Sequence, residues 1–243
     1  MNRFYCGFSD IRGGKIVISD PAQLHHLKDV LRFKSGEKAE IFDDKGNEYA
    51  VELCALSEKQ AEFLMKDKKK AVNTNRPRVA IACAIPKRSK IDDIIDKLTQ
   101  LQVDRIIPLV TERVIVKIDQ AKAVSRQKRW ESIALSASKQ SKRNSVPIVD
   151  QVTGFSELIE HCRDFDLKLI PNLEGDRKTI KEVLNGKKAR SVLVLIGPEG
   201  DFTPEEIKAA IKAGFIPVTF GDSVLRVETA CLYVASVLNY ELK

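Results

Sequence analysis

Leu195-Ile196-Gly197-Pro198-Glu199-Gly200-Asp201-Phe202-Thr203-Pro204-Glu205-Glu206 is the stretch that decides the architecture. It begins as the end of an apolar run, Ser191 to Ile196, with the composition of a strand covered on both faces. The chain then turns through two glycines. Thr203, Pro204 and Glu206 supply an N-cap, a proline at the first helical position and a capping box, so a helix over Pro204 to Ala213 follows at once. Glycines at a strand's C-terminal end let a ligand approach the backbone, and open α/β sheets bind ligands at that end. Pro198 fits neither a dinucleotide fingerprint nor a P-loop. Glu199 and Asp201 disfavour a phosphate and suit a cationic or neutral ligand. A βα turn with no ligand would read the same way, so this loop alone leaves both readings open.

A second turn of the same kind lies downstream: Thr219-Phe220-Gly221-Asp222-Ser223-Val224-Leu225-Arg226-Val227-Glu228-Thr229-Ala230. A strand over Ile216 to Phe220 ends at glycine, and a helix over Glu228 to Leu242 starts a few residues later. Glu228 sits in the first helical turn, where the helix dipole favours a carboxylate. Arg226, between apolar neighbours, is either a surface residue or an anion clamp. Two ligand-ready turns on consecutive strands could line one pocket.

Working outward, the same rhythm fills the C-terminal two thirds. Strands are predicted at Val79 to Ile85, Arg105 to Val110 and Leu167 to Ile170. Helices are predicted at Lys90 to Gln102, Gln120 to Lys139, Phe155 to Arg163 and Thr179 to Leu184. This alternation predicts an α/β fold with a parallel sheet. Upstream, Lys66 to Arg78 is polar and reads as a linker, which places a domain boundary near residue 72 and gives domains 1–72 and 73–243. The first domain is β-rich: short runs at Phe4 to Phe8 and Lys15 to Ile18, then Ala39 to Phe42, Tyr49 to Leu53 and Ala61 to Met65. Asp43-Asp44-Lys45-Gly46-Asn47 is a hairpin signal between two of them. One helix interrupts this pattern, with Asp20 as N-cap, Pro21 at its first position, and Leu24, Leu27 and Leu31 at helical spacing. Short strands joined by turns suggest a small barrel.

Composition narrows the function. Of 243 residues, 43% are hydrophobic and 31% charged, which excludes disorder throughout. No apolar run approaches the ~20 residues of a membrane span. The N-terminus lacks an apolar signal core, so a cytoplasmic protein is expected. Five cysteines, none in a CxxC pair, exclude a zinc ribbon and a thioredoxin motif. His25 and His26 are adjacent and point apart on a helix, so no metal is expected. The net charge of +7 is unevenly placed: residues 1–72 carry thirteen basic and twelve acidic residues, while 117–143 carry eight basic against two acidic. Lys122, Arg126 and Arg129 form one helical stripe, either a solvated face or a nucleic-acid footprint.

These residues carry a family resemblance. Gly197-Pro198-Glu199-Gly200, paired with Leu225-Arg226-Val227-Glu228-Thr229-Ala230, resembles the ribosomal RNA small subunit methyltransferase E family of the knotted SPOUT superfamily. Arg3-Phe4-Tyr5, His26 to Arg32, Gly36 before Ile41-Phe42-Asp43, and Gln140 to Pro147 extend it over nearly the whole chain. The resemblance implies a PUA-like RNA-binding barrel, a C-terminal α/β domain with a deep trefoil knot, and a homodimer formed through the knotted region. It implies S-adenosylmethionine as cofactor and N3 of one uridine in 16S rRNA of the 30S subunit as acceptor. The cofactor site it implies comprises Leu173, then Gly197, Pro198, Glu199 and Gly200, then Phe220, Gly221, Leu225, Glu228, Thr229 and Ala230. Arg226 is the candidate catalytic residue. The candidate RNA contacts are Arg3, Arg32, Lys87, Arg88, Arg113, Lys122, Arg126, Arg129 and Arg143. The chain departs from the family at Gln100, where a glutamate is usual, at Gln102 and Asp201, where glycine is usual, at Ser223, where arginine is common, and at Val227, where threonine is. The alternatives are methylation of another RNA base or ribose, and a non-catalytic ribosome assembly factor.

Overall fold

The computed structural model describes residues 2–70, 76–87, 90–114, 120–172, 177–186 and 188–242, the side chains of 120–122 excepted. The chain forms two compact units, Met1–Thr74 with Ser138–Val146, and Asn75–Ala137 with Pro147–Lys243.

In the first unit, β1 (Arg3–Cys6), β2 (Ile11–Arg12), β3 (Lys15–Ile18), β4 (Lys38–Asp43), β5 (Glu48–Leu56) and β6 (Ala61–Lys69) form one sheet. Its order is β1-β4-β5-β6-β3-β2. The β1–β4 pair is parallel and the other neighbours are antiparallel. Alternation along β5 turns Tyr49, Val51 and Leu53 inward, where they meet Phe4, Ile16, Ile41 and Phe63. The hairpin expected at residues 43–47 is present, with Gly46 at φ 79°. Its cause is Asp43, a fully buried carboxylate. It accepts from Lys45 N, Asn47 N, Asn47 Nδ2 and the Tyr49 hydroxyl at 2.8–2.9 Å, so its burial is compensated by four donors. Burial and this bond hold the Tyr49 hydroxyl pKa well above its ordinary range.

The interrupting helix differs from expectation. α1 (Pro21–His25) is capped as read, Gln23 N donating to Asp20 at 2.8 Å. It does not continue as an α-helix to Leu31. From His26 to Val30 it widens into a π turn, closed by Leu31 N donating to His26 O at 2.9 Å. Arg32, at φ 53°, then reverses the chain, and Phe33 N bonds Leu27 O. The widened turn seats Phe33 in the core, edge-on to Phe4 at 5.9 Å.

The second unit is a parallel sheet, as the alternation predicted. Its strands are β7 (Arg78–Ala84), β8 (Arg105–Val110), β9 (Ile148–Val149), β10 (Thr153–Gly154), β11 (Leu167–Pro171), β12 (Lys178–Thr179), β13 (Ser191–Ile196) and β14 (Ile216–Thr219). The order is β10-β8-β7-β13-β11-β14-β12, with β9 also on β8, and every pair is parallel. The helices are α2 (Lys90–Gln100), α3 (Gln120–Gln140), α4 (Phe155–His161), α5 (Ile180–Leu184), α6 (Pro204–Lys212) and α7 (Val227–Glu241). The last turn of α3 belongs to the first unit. Val192 to Ile196 of β13 are buried between β7 and β11, which explains their unbroken apolarity. The three two-residue strands β9, β10 and β12 carry no sequence period and went unread. The described helices include none long and apolar enough to cross a membrane.

Candidate cofactor cleft

β11, β13 and β14 end side by side, and the loops that leave them line an open cleft. Gly197, Pro198, Glu199 and Asp201 line it from the β13 loop, and Phe220, Gly221, Leu225 and Ala230 from the β14 loop and α7. Of the expected cofactor residues, Gly200, Glu228 and Thr229 do not line it, and Leu173 lies outside the described residues. Sequence reasoning missed Pro171 and Asn172, which also line the cleft. The rule used for β13 and β14, a loop at a strand's C-terminal end, points to them once β11 is placed beside those strands.

Local chemistry explains the cleft's shape. Thr203 and Glu206 form the expected capping box: Glu206 N donates to Thr203 Oγ1 at 3.2 Å, and Thr203 N donates to Glu206 Oε2 at 2.9 Å. Helix α6 therefore starts at a fixed point and anchors the turn before it. A Cβ on Gly197 would lie 3.1 Å from Asp201 Oδ1 and from two atoms of the Phe202 ring, so any side chain there would push these neighbours back by a few tenths of an ångström. Asp201 takes φ 59°, a left-handed conformation, and its Oδ1 accepts from Phe202 N at 2.8 Å. The departure from glycine thus falls where the backbone favours glycine, and aspartate is among the few residues that tolerate it. Gly221, at φ 108°, opens the second loop.

The walls are apolar at Ile196, Pro198, Phe220, Leu225 and Ala230, with carboxylates at Glu199 and Asp201. An apolar slot with acidic groups suits an adenosine that bears a sulfonium and an amino acid tail, so the residues fit S-adenosylmethionine. No cluster of metal-ligating side chains occurs among the described residues.

Arg226 is the exposed N-cap residue of α7, and its side chain makes no hydrogen bond or ion pair among the described residues. Arg226 is not among the residues that line the cleft; it directly follows Leu225, which is one of them. Glu228 faces Lys90 instead of the cleft: Lys90 Nζ donates to its carboxylate at 2.5 Å. That bond, ahead of the opposing effect of burial, holds the Glu228 pKa below the usual carboxylate range.

The candidate RNA contacts divide. Arg32 and Lys87 are exposed. Arg88 lies outside the described residues, as does the Lys122 side chain. Arg126 is half-buried, and exposed Arg129 is paired with Asp92 at 2.6 Å, a carboxylate that also accepts from Trp130 Nε1. Two arginines are turned inward. The Arg3 side chain is 6% exposed, pairs with Glu48 at 3.3 Å, stacks over Phe42 and donates to Asn144. Arg143 is 8% exposed and donates from Nε to Ser145 Oγ. Both have a packing role within the first unit, which a count of charges along the sequence does not distinguish from a binding role.

A chain that carries a parallel α/β domain with this cleft and a small β-rich unit matches an RNA methyltransferase architecture. The RNA methyltransferase domain family model matches residues 73–239, and the RNA methyltransferase PUA domain model matches residues 18–65. The Ribosomal RNA small subunit methyltransferase E of Bacillus subtilis is 31% identical over 227 residues, covering 90% of this chain and 88% of that one. A crystal structure of that enzyme from Neisseria gonorrhoeae, bound to S-adenosylmethionine, aligns with TM-score 0.82 and 28% identity, covering 99% of this chain and 97% of its own. A Legionella pneumophila protein solved in complex with the same cofactor aligns with TM-score 0.87 and 29% identity, covering 98% and 96%. The chain belongs to the ribosomal RNA small subunit methyltransferase E family.

Proposed function

We propose that this chain, an S-adenosylmethionine-dependent rRNA methyltransferase, methylates N3 of a specific uridine in 16S rRNA, acting in the cytoplasm on the 30S subunit as a homodimer. The observation that carries the reading is the cleft: the loops after three adjacent strands line an apolar slot with two carboxylates, and the exposed Arg226 follows the lining residue Leu225 in the chain. The bound cofactor supplies an electrophilic methyl group. The uracil N3 holds a proton in place of a free lone pair, so that proton must pass to water or another base as the methyl arrives, and until the N–C bond forms negative charge spreads to the flanking carbonyl oxygens. Arg226 is the residue assigned to stabilise that charge in this reading. The carboxylates favour the cationic donor over its neutral product. Tyr233 and Tyr240, 42% and 79% exposed and two turns apart on α7, support a second copy packing on that helix. The PUA-like unit is read as a closed barrel that grips RNA, and the C-terminal unit as a deep trefoil knot.

The test is direct. Purified 30S subunits lacking the modification are incubated with the protein and S-adenosylmethionine, and the digested rRNA is analysed by mass spectrometry. 3-Methyluridine is the expected product. Another methylated nucleoside would overturn the acceptor, and no product from a cofactor-binding protein would overturn the substrate. Arg226→Ala should lower kcat with cofactor affinity kept; unchanged turnover would remove its role.

A further inference from the structure

Arg113, three residues past the end of β8, reaches the turn that builds the cleft. Its Nη1 donates to Gly200 O at 2.6 Å and faces Phe202 O at 3.5 Å. Its methylene stem lies against Gly200: a Cβ built there would be 3.5 Å from Arg113 Cδ and 3.7 Å from its Cβ. One residue earlier, Glu112 N donates to Glu206 Oε1 at 3.0 Å. The other oxygen of that carboxylate accepts from Thr203 N in the capping box. The Thr111-Glu112-Arg113 segment therefore ties down both ends of the 200–206 stretch, across the intervening strand β7. The turn needs such a tie. It carries a left-handed aspartate, and its internal backbone bond is Asp201 N to Pro198 O.

We propose that Arg113 is a positioning residue for the cofactor loop and not an RNA phosphate ligand. Its guanidinium holds the carbonyls of Gly200 and Phe202, and so keeps Glu199 and Asp201 on the wall of the cleft. This rests on reading the cleft as the S-adenosylmethionine site. A charge-assisted bond to a carbonyl at a partly exposed site sets the scale, so its loss should loosen the turn about tenfold.

Three measurements on the full-length protein test it. In the cofactor-free protein, amide hydrogen exchange of Asp201, Phe202 and Thr203 should quicken about tenfold in Arg113→Ala, while exchange in β4 and β5 stays unchanged. By calorimetry, S-adenosylmethionine should bind Arg113→Ala about tenfold more weakly, with Arg113→Lys between the two because it keeps one donor. The salt dependence of 16S rRNA binding should be unaltered. If Arg113→Ala does not fold, Arg113→Lys alone must still show the faster local exchange and the weaker binding. A flatter salt slope with unchanged cofactor affinity would overturn the proposal, and so would unchanged loop exchange. A wild-type protein without cofactor affinity would overturn it through the reading of the cleft, a failure visible before any variant is made.

Discussion

Gln102 shows what a single residue can reveal. It lies just beyond α2 at φ 64°, a left-handed conformation that suits glycine, the residue usual in the family at that position. The strain costs about 1–2 kcal/mol, and glycine returns about 0.5–1 kcal/mol of that through its freer unfolded chain. Gln102→Gly should therefore raise stability by up to about 1.5 kcal/mol, read as a higher urea midpoint with an unchanged slope. A lower midpoint would show that the Gln102 side chain contributes more than its backbone costs. Cys6 gives a pH prediction. It is 3% exposed, and burial, followed by the nearby carboxylates Asp43, Asp10 and Asp44, pushes its thiol up to about 12. The folded state therefore keeps this proton above pH 8.5, where the unfolded chain releases it. Stability from this group is full below the ordinary thiol range and falls as pH rises toward 12, by up to about 1.4 kcal/mol per pH unit. Cys6→Ala should flatten the alkaline limb of the stability–pH curve relative to wild type. Parallel curves would exclude Cys6 as its source.

At the scale of an element, the legible features were those with a local chemical cause. The capping box at Thr203 and Glu206, the cap at Asp20 and the glycine at position 46 each fix a boundary through atoms a few residues apart. The π turn after His25 was not legible, because its cause is the seating of Phe33 against Phe4, a contact made only in the folded chain. The inward turn of Arg3 and Arg143 was hidden for the same reason: their partners Glu48, Phe42 and Ser145 come from folding or from a side-chain rotation that spacing does not specify. Helix α3 is the element proposed to bring its charge to RNA. Alanine at Lys122, Arg126 and Arg129 together would flatten the salt slope of RNA binding by about three if all three met phosphates. Arg129 already has Asp92, so a change of about two is expected. An unaltered slope in the triple variant would remove α3 from the RNA interface.

At the scale of the whole molecule, the alternation of strands and helices was enough to specify a parallel sheet, and the two glycine turns located the cleft. Strand order was not readable, since pairing β13 with β7 joins residues over a hundred positions apart. The proposed dimer belongs to this scale. Tyr240→Glu places a charge on the exposed face of α7 and should shift the protein from dimer to monomer in sedimentation at micromolar concentration, with thermal unfolding of the two sheets preserved. A wild-type monomer, or a Tyr240→Glu dimer of unchanged mass, would remove α7 from the interface.

The first unit is assembled from two stretches of chain, Met1–Thr74 and the distant Ser138–Val146, and Arg3 on the first donates to Asn144 on the second. Genetically, this PUA-domain module is therefore not a cassette. A gene fragment cut near residue 72 encodes an Arg3 deprived of one acceptor, and a transplant of the module to another enzyme must carry an insertion lifted from the middle of the methyltransferase reading frame.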